Sequence, residues 1–143
     1  MGIGYSRFVI RGLGSKHALP TQTSLADALQ ARFIDFGAKI TGLVQKLPRS
    51  PAGTHYARQM LRSGTAAAPN YAEARSAESR ADFIHKMRIV LKELNETAVW
   101  LRMAVRSELF SRDVTSEILA EAEQLCRIVA ASIRTAKSPQ RQD

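Results

Sequence analysis

One cysteine stands in the chain of 143 residues, Cys126, so no disulfide can form within it. That usage suits a reducing compartment and a small side chain buried on a helix. Aromatic residues are scarce, 6% against 45% hydrophobic in all, which is the balance of a core filled by Leu and Ala. No apolar run approaches the roughly 18 residues that span a bilayer, and the first 22 residues carry no sustained apolar stretch of signal length. A cytoplasmic protein without a membrane partner is expected. No stretch alternates with period two, which leaves no half-buried strand.

The recognisable chemical motifs are missing as well. There is no Gly-rich phosphate loop, no paired-Cys zinc pattern and no nucleophile elbow. His17, His55 and His85 are scattered without ligand spacing. Glu73, Glu93 and Glu96 suggest a carboxylate metal site inside a helical bundle. Di-iron bundles, however, carry Glu-x-x-His on two helices, and none occurs here. The expectation is therefore a protein with no catalytic residue, no cofactor and no metal.

What the chain does have is positive charge and helical periodicity. Twenty-one Lys and Arg against thirteen Asp and Glu give a net charge of +8. Residues 1–50 hold seven basic and two acidic groups, so the excess is densest there. Such a balance attracts RNA, DNA or an acidic protein, although no Lys/Arg run marks a site.

Apolar residues step by three or four in four segments. Leu25, Leu29, Phe33, Phe36, Ile40, Leu43 and Leu47 form the first row, and Ala57, Leu61, Gly64, Ala68 and Tyr71 the second. Phe83, Met87, Val90, Leu94, Thr97, Leu101 and Ala104 form the third. Val114, Ile118, Ala122, Leu125, Val129, Ser132 and Ala136 form the fourth. Ser24 with Asp27, Ser50 before Pro51, Ser79 with Asp82, and Ser111 or Asp113 mark the helix starts. The spacing predicts helices over 25–47, 51–76, 80–109 and 113–136, after a poorly ordered leader (1–22) and before a disordered tail (138–143). Short connections make neighbours antiparallel, so the fold class is an all-α, up-down-up-down four-helix bundle over residues 23–137. Pro69 predicts a kink within a continuous second helix.

The second helix is stripped to small side chains from Ser63 to Ala68, then carries Asn70 and Glu73. Small residues allow a close approach between helices, and polar pairs across the contact would fix its register. A turn centred near residue 77 or 78 places Asn70 near Lys86, Arg62 and Ser63 near Glu93, and Gln59 near Glu96. The expected structural network is Arg62, Ser63, Asn70, Glu73, Lys86, Glu93 and Glu96, buried or half-buried between the second and third helices. "AVWLRMAV", Ala98 to Val105, is apolar on every side except Arg102. A helix apolar all round is buried all round, so Val99, Trp100 and Met103 are expected at a contact with another copy.

These residues also carry a resemblance. Arg62-Ser63, Asn70-x-x-Glu73 and Phe83-x-x-Lys86 are joined by Lys92-Glu93-x-x-Glu96-Thr97-x-x-Trp100-Leu101. Together they resemble the signature of the 23S rRNA intervening-sequence proteins, a family of four-helix bundles. The likeness is close over the second and third helices, a matter of pattern in the other two, and departs at Pro69. It implies a cytosolic bacterial homopentamer with no established catalytic activity. A similar fold serves as the accessory subunit of diversity-generating retroelements, where a basic pentamer binds nucleic acid and a reverse transcriptase. The function expected is a non-enzymatic oligomer that acts as a nucleic-acid-binding or adaptor protein through basic surface charge. The alternatives are a purely structural or protein-interaction oligomer and the carboxylate metal-site enzyme.

Overall fold

Four helices account for nearly all of residues 24–139, the part of the chain that the computed structural model describes. They are α1 (Leu25–Val44), α2 (Pro51–Arg75), α3 (Arg80–Arg106) and α4 (Arg112–Lys137). The expected leader and the tail from residue 140 lie outside the described residues. Each helix opens on a serine whose side chain accepts from the backbone N–H three residues on. At α1 the capping box is complete: the Ser24 hydroxyl accepts from the Asp27 amide at 3.0 Å, and Asp27 accepts from the Ser24 amide at 3.4 Å.

Two helices stop three residues short of their expected limits, α1 at Val44 and α3 at Arg106. The α1 pattern runs to Leu47, but Leu47 precedes a proline, which disfavours helical backbone there. The last turn tightens instead, with the amides of Lys46 and Leu47 bonded to the carbonyls of Leu43 and Val44. After α3, Glu108 takes a left-handed conformation (φ 59°). The Leu109 amide then reaches the Ala104 carbonyl at 2.9 Å and the Glu108 amide the Val105 carbonyl at 3.1 Å. This Schellman arrangement is usually built on glycine, so nothing in the sequence announced it. Across Pro69 the α2 helix stays continuous. Pro69 itself is exposed.

Contacts across the seams fix the topology. Asp27 meets Arg75 across α1 and α2, Glu73 meets Lys86 across α2 and α3, and Glu123 meets Arg102 across α3 and α4. Arg32 and Lys39 bridge α1 to Glu121 and Glu117 on α4, where the contact is slimmest. Along each seam a rise in number on one helix is met by a fall on its neighbour, as from Arg32–Glu121 to Lys39–Glu117 and from Asn95–Cys126 to Arg102–Glu123, so neighbours are antiparallel. Leu29, Phe33, Phe36, Ile40, Met60, Phe83, Met87, Leu94, Leu101, Leu125 and Val129 fill the core.

The buried face of α2 differs from the expected row. Met60, Ser63, Gly64, Ala67, Tyr71 and Ala74 are buried, whereas Leu61 is 39% exposed. The helix is clasped between α1 and α3, and the arc facing both is centred on its smallest residues rather than its most apolar ones. Val114 is likewise exposed and Thr115 buried in its place, its hydroxyl satisfied by the Ser111 carbonyl at 3.2 Å.

That small-residue arc lets the backbones of α1 and α2 approach closely. A methyl group on Gly37 would lie 3.5 Å from the Gly64 carbonyl oxygen, and one on Gly64 would lie 2.6 Å from Ile40 Cγ2. Ile40 is β-branched and fully buried, so it has little freedom to withdraw. In an unconstrained helix Gly→Ala stabilises by about 1 kcal/mol. Here Gly64→Ala is expected to destabilise by about 1–3 kcal/mol in denaturant unfolding, as overpacking does. The loss should largely vanish in an Ile40→Ala background; equal losses in both backgrounds would contradict this packing.

Tyr71 raises a separate issue. Its ring lies 4.9 Å from that of Phe33, and its hydroxyl is buried without a hydrogen-bond partner among the described residues. Burial pushes its pKa up to about 12. The unfolded chain ionises near pH 10, ahead of the folded one, so stability is level below pH 10 and falls between about 10 and 12. Tyr71→Phe removes a stranded hydroxyl and is expected to raise stability by about 1 kcal/mol at neutral pH. Unfolding followed from pH 8 to 12 should show the alkaline decline reduced in that variant.

Candidate functional site

The polar seam between α2 and α3 has a small dry floor and a wet rim. On the floor, the Thr97 hydroxyl bonds Ser63 Oγ at 2.8 Å and its own helix at the Glu93 carbonyl at 2.8 Å, and both residues are fully buried. On the rim, Arg62 lies between Glu93, at 3.5 Å, and Glu96, with its own side chain 52% exposed. Lys86 Nζ donates to Glu73 at 2.7 Å. The Arg62 hydrogen bond holds the Glu96 carboxyl below the usual carboxylate range, and Glu73 holds Lys86 more firmly charged.

Two pairings differ from the expected ones by about a helical turn. Lys86 takes Glu73 rather than Asn70, and Ser63 takes Thr97 rather than Glu93. Asn70 donates to the Ala66 carbonyl of its own helix at 2.8 Å and joins no cross-helix pair among the described residues. Arg62 meets Glu93 as expected, at 3.5 Å, and the connection between α2 and α3, residues 76–79, is centred where it was expected. Of its charged members Lys86, Glu93 and Glu96 are half-buried as expected, whereas Arg62 and Glu73 are exposed and keep the ends of their long side chains in water.

Trp100 is half-buried and has partners inside its own chain. Its ring packs edge-on against His55 and Tyr56 at the start of α2, with centroids 5.5 and 5.3 Å away. Its indole N–H donates to Glu96 at 3.4 Å, and the Tyr56 and Ser107 hydroxyls lie 3.3 Å apart. Val99 remains 51% exposed and Met103 is half-buried. His55 and Tyr56 lie in the first two turns of α2, level with Trp100 late in α3, as the antiparallel register of α2 and α3 places them.

The arrangement offers little to a bond-making reaction. Among the described residues no three His, Cys, Asp or Glu side chains come together to hold a metal ion. Cys126 donates weakly to Asn95 at 3.6 Å, and burial pushes its thiol up, away from the reactive thiolate.

Charge is distributed more tellingly. Arg102–Glu123 and Asn95–Cys126 set the register of α3 against α4. That register puts Arg88 level with Arg134, with Lys92 about one turn from them and Lys137 beyond. Arg88, Lys92, Arg127, Arg134 and Lys137 are all exposed, and none has a carboxylate within ion-pair distance among the described residues. From Arg127 to Lys137 the strip extends about 15 Å along α4. No Lys/Arg run appears in the sequence because the strip is assembled from two helices, at spacings of three, four or seven.

Residues 28–131 match the family of 23S rRNA-intervening sequence proteins. The chain belongs to that family. It is also similar to a solved protein of unknown function from the S23 ribosomal protein family of Bacteroides thetaiotaomicron. The two share 32% identity over 76% of this chain and 97% of that one, with a TM-score of 0.71. No curated protein matches. Among the described residues of this family member, no helix is long and apolar enough to cross a membrane.

The exposure of Arg62 bounds what its ion pairs contribute. A double-mutant cycle of Arg62→Met and Glu96→Gln is expected to give a coupling of about 0.5–1 kcal/mol at neutral pH, as for solvent-screened pairs. Because the folded Glu96 pKa is depressed, the contribution is present above the ordinary carboxylate pKa and disappears as pH falls through the lower folded value. Strict additivity in urea unfolding at pH 7 would show that the pair contributes nothing.

Proposed function

We propose that this protein is a non-enzymatic, oligomeric helical adaptor of the cytoplasm that binds nucleic acid through its sugar–phosphate backbone. The observation that carries the reading is the strip of Arg88, Lys92, Arg127, Arg134 and Lys137, exposed cations without carboxylate partners on adjacent helices. Six other cations of the described residues are engaged in ion pairs and Lys46, Arg49, Arg58, Arg106 and Arg112 are not, so the strip stands out by its continuity across two helices. A spacing of three, four or seven residues along a helix places successive guanidinium and ammonium groups about 5–10 Å apart. That is the scale of successive phosphates on a duplex strand. No aromatic side chain is interleaved with the cations, so base stacking and base-edge readout are not expected. The name of the family, tied to intervening sequences of 23S rRNA, accords with structured RNA as a ligand.

Oligomerisation belongs to the same reading. The exposed Val99 and half-buried Met103 form an apolar spot on the outer face of α3, and pentameric assembly is what family resemblance suggests. A ring would multiply the strip and raise avidity without new contacts.

Filter binding of a structured RNA and a DNA duplex tests the proposal. Retention is expected at low salt, with affinity falling log-linearly as salt rises. Arg88→Ala with Arg134→Ala should reduce the slope by about two, affecting all sequences alike. No retention at low salt would overturn the nucleic-acid reading, and selective capture of an acidic protein partner on the same face would replace it.

A further inference from the structure

The corner where α1 passes into α2 holds a pocket of about 360 Å³. Val44, Leu47, Pro48 and Ala57 line it with apolar groups, and Arg49 and Thr54, both exposed, complete its edge. The backbone fixes its shape. Pro48 and Pro51 bracket the turn, and Gly53 lets the first turn of α2 press on the Pro48 carbonyl, where an added Cβ would clash. Leu61, one turn past Ala57, is 39% exposed and carries the apolar surface onward along α2.

Charge around this corner has one sign. No Asp or Glu occurs between Asp35 and Glu73, a stretch that contains Lys39, Lys46, Arg49, Arg58 and Arg62. Glu117 holds Lys39, and Glu93 and Glu96 hold Arg62. Lys46, Arg49 and Arg58 are exposed, and none has a carboxylate within ion-pair distance among the described residues. The carboxylates that the α3–α4 side brings to this end of the bundle, Glu108, Asp113 and Glu117, do not line the pocket. The start of α2 adds no anion site of its own, because Pro51 has no N–H and Ser50 takes the amides of Gly53 and Thr54.

We infer that this corner docks an acidic segment of a partner protein, with one aliphatic or aromatic side chain in the pocket and carboxylates on Arg49 and Arg58. The inference goes beyond the nucleic-acid reading and does not rest on it, since the strip lies on α3 and α4 toward the opposite end of the bundle. The pocket is at the small end for ligand sites, the scale of a side-chain anchor. Arg58 lies about 10 Å along α2 from the helix start, so acidic residues on either side of the anchor meet a cation. A nucleic acid suits the corner less. Its sugar–phosphate backbone has nothing to fill an aliphatic pocket, and no aromatic side chain lines the pocket to stack a base.

Fluorescence anisotropy at low salt, with the full chain and a labelled synthetic peptide, Asp-Glu-Asp-Leu-Phe-Asp-Glu-Asp, tests this. The wild type is expected to bind it saturably, and to bind a peptide with Ser in place of Leu and Phe about tenfold more weakly. Arg49→Glu, which reverses the edge charge, and Thr54→Trp, which fills the pocket, should each weaken binding about tenfold with the helical circular-dichroism signal kept. Absence of binding by the wild type, or equal binding of the two peptides, would overturn the docking site. Unchanged binding by either variant would place the peptide elsewhere and overturn it as well. Should Thr54→Trp lose its helical signal, Arg58→Glu replaces it with the same expectation. A DNA duplex that displaces the peptide from a chain carrying Arg88→Ala and Arg134→Ala would assign the corner to phosphate and overturn the peptide reading. Duplex retention by the wild type remains the readout of the strip, so the two sites fail separately.

Discussion

Everything in this bundle is arranged around the seat that Gly64 makes for Ile40. With no Cβ on Gly64, the Ile40 side chain presses directly onto the backbone of α2, and Gly37 answers from the opposite helix. Close approach on that side leaves α2 able to bury Ser63 against Thr97 on the other, where a single hydroxyl pair replaces a layer of large side chains. The small residues are thus needed by two contacts at once. A helix held from both sides by its narrowest arc has little rotational freedom, which aligns Arg62, Glu73 and Tyr71 with their surroundings.

Polarity rises from the floor of each seam to its rim. Ser63 and Thr97 satisfy each other out of water, while Arg62, Glu96, Lys86 and Glu73 pair where solvent can still reach them. The same holds between α1 and α4, where Arg32 makes two hydrogen bonds to Glu121, each 3.0 Å, and one to Gln124 at 2.9 Å. These rim pairs select the register more than they add stability, because a shift by one turn would strand several charges together. The cations of the α3–α4 face are left out of this arrangement. That leaves them available to an external anion.

Helical periodicity, capping serines and the proline before α2 were enough to read the number, order and approximate limits of the helices, since these depend on local backbone and the apolar faces. The ends of α1 and α3 were less legible. Leu47 continues the apolar rhythm although Pro48 has already ended the helix, and the left-handed turn at Glu108 has no glycine to signal it. The small-residue stretch of α2 could be recognised as a close contact. Its double role toward α1 and α3 could not, because periodicity gives a direction around one helix but not the positions of its neighbours.

By itself, then, the sequence determined an all-α chain of four antiparallel helices, its family, its basic charge and the absence of recognisable catalytic motifs. Those properties depend on residue type and near-neighbour spacing. Tertiary structure decided which charges meet. Lys86 found Glu73 instead of Asn70, Trp100 packed edge-on against His55 and Tyr56, and five cations from two helices became one strip. The reason is geometric: a small change in where two helices cross moves every side-chain partner by several ångströms. Hydrophobic burial tolerates such a shift, and directional pairing does not.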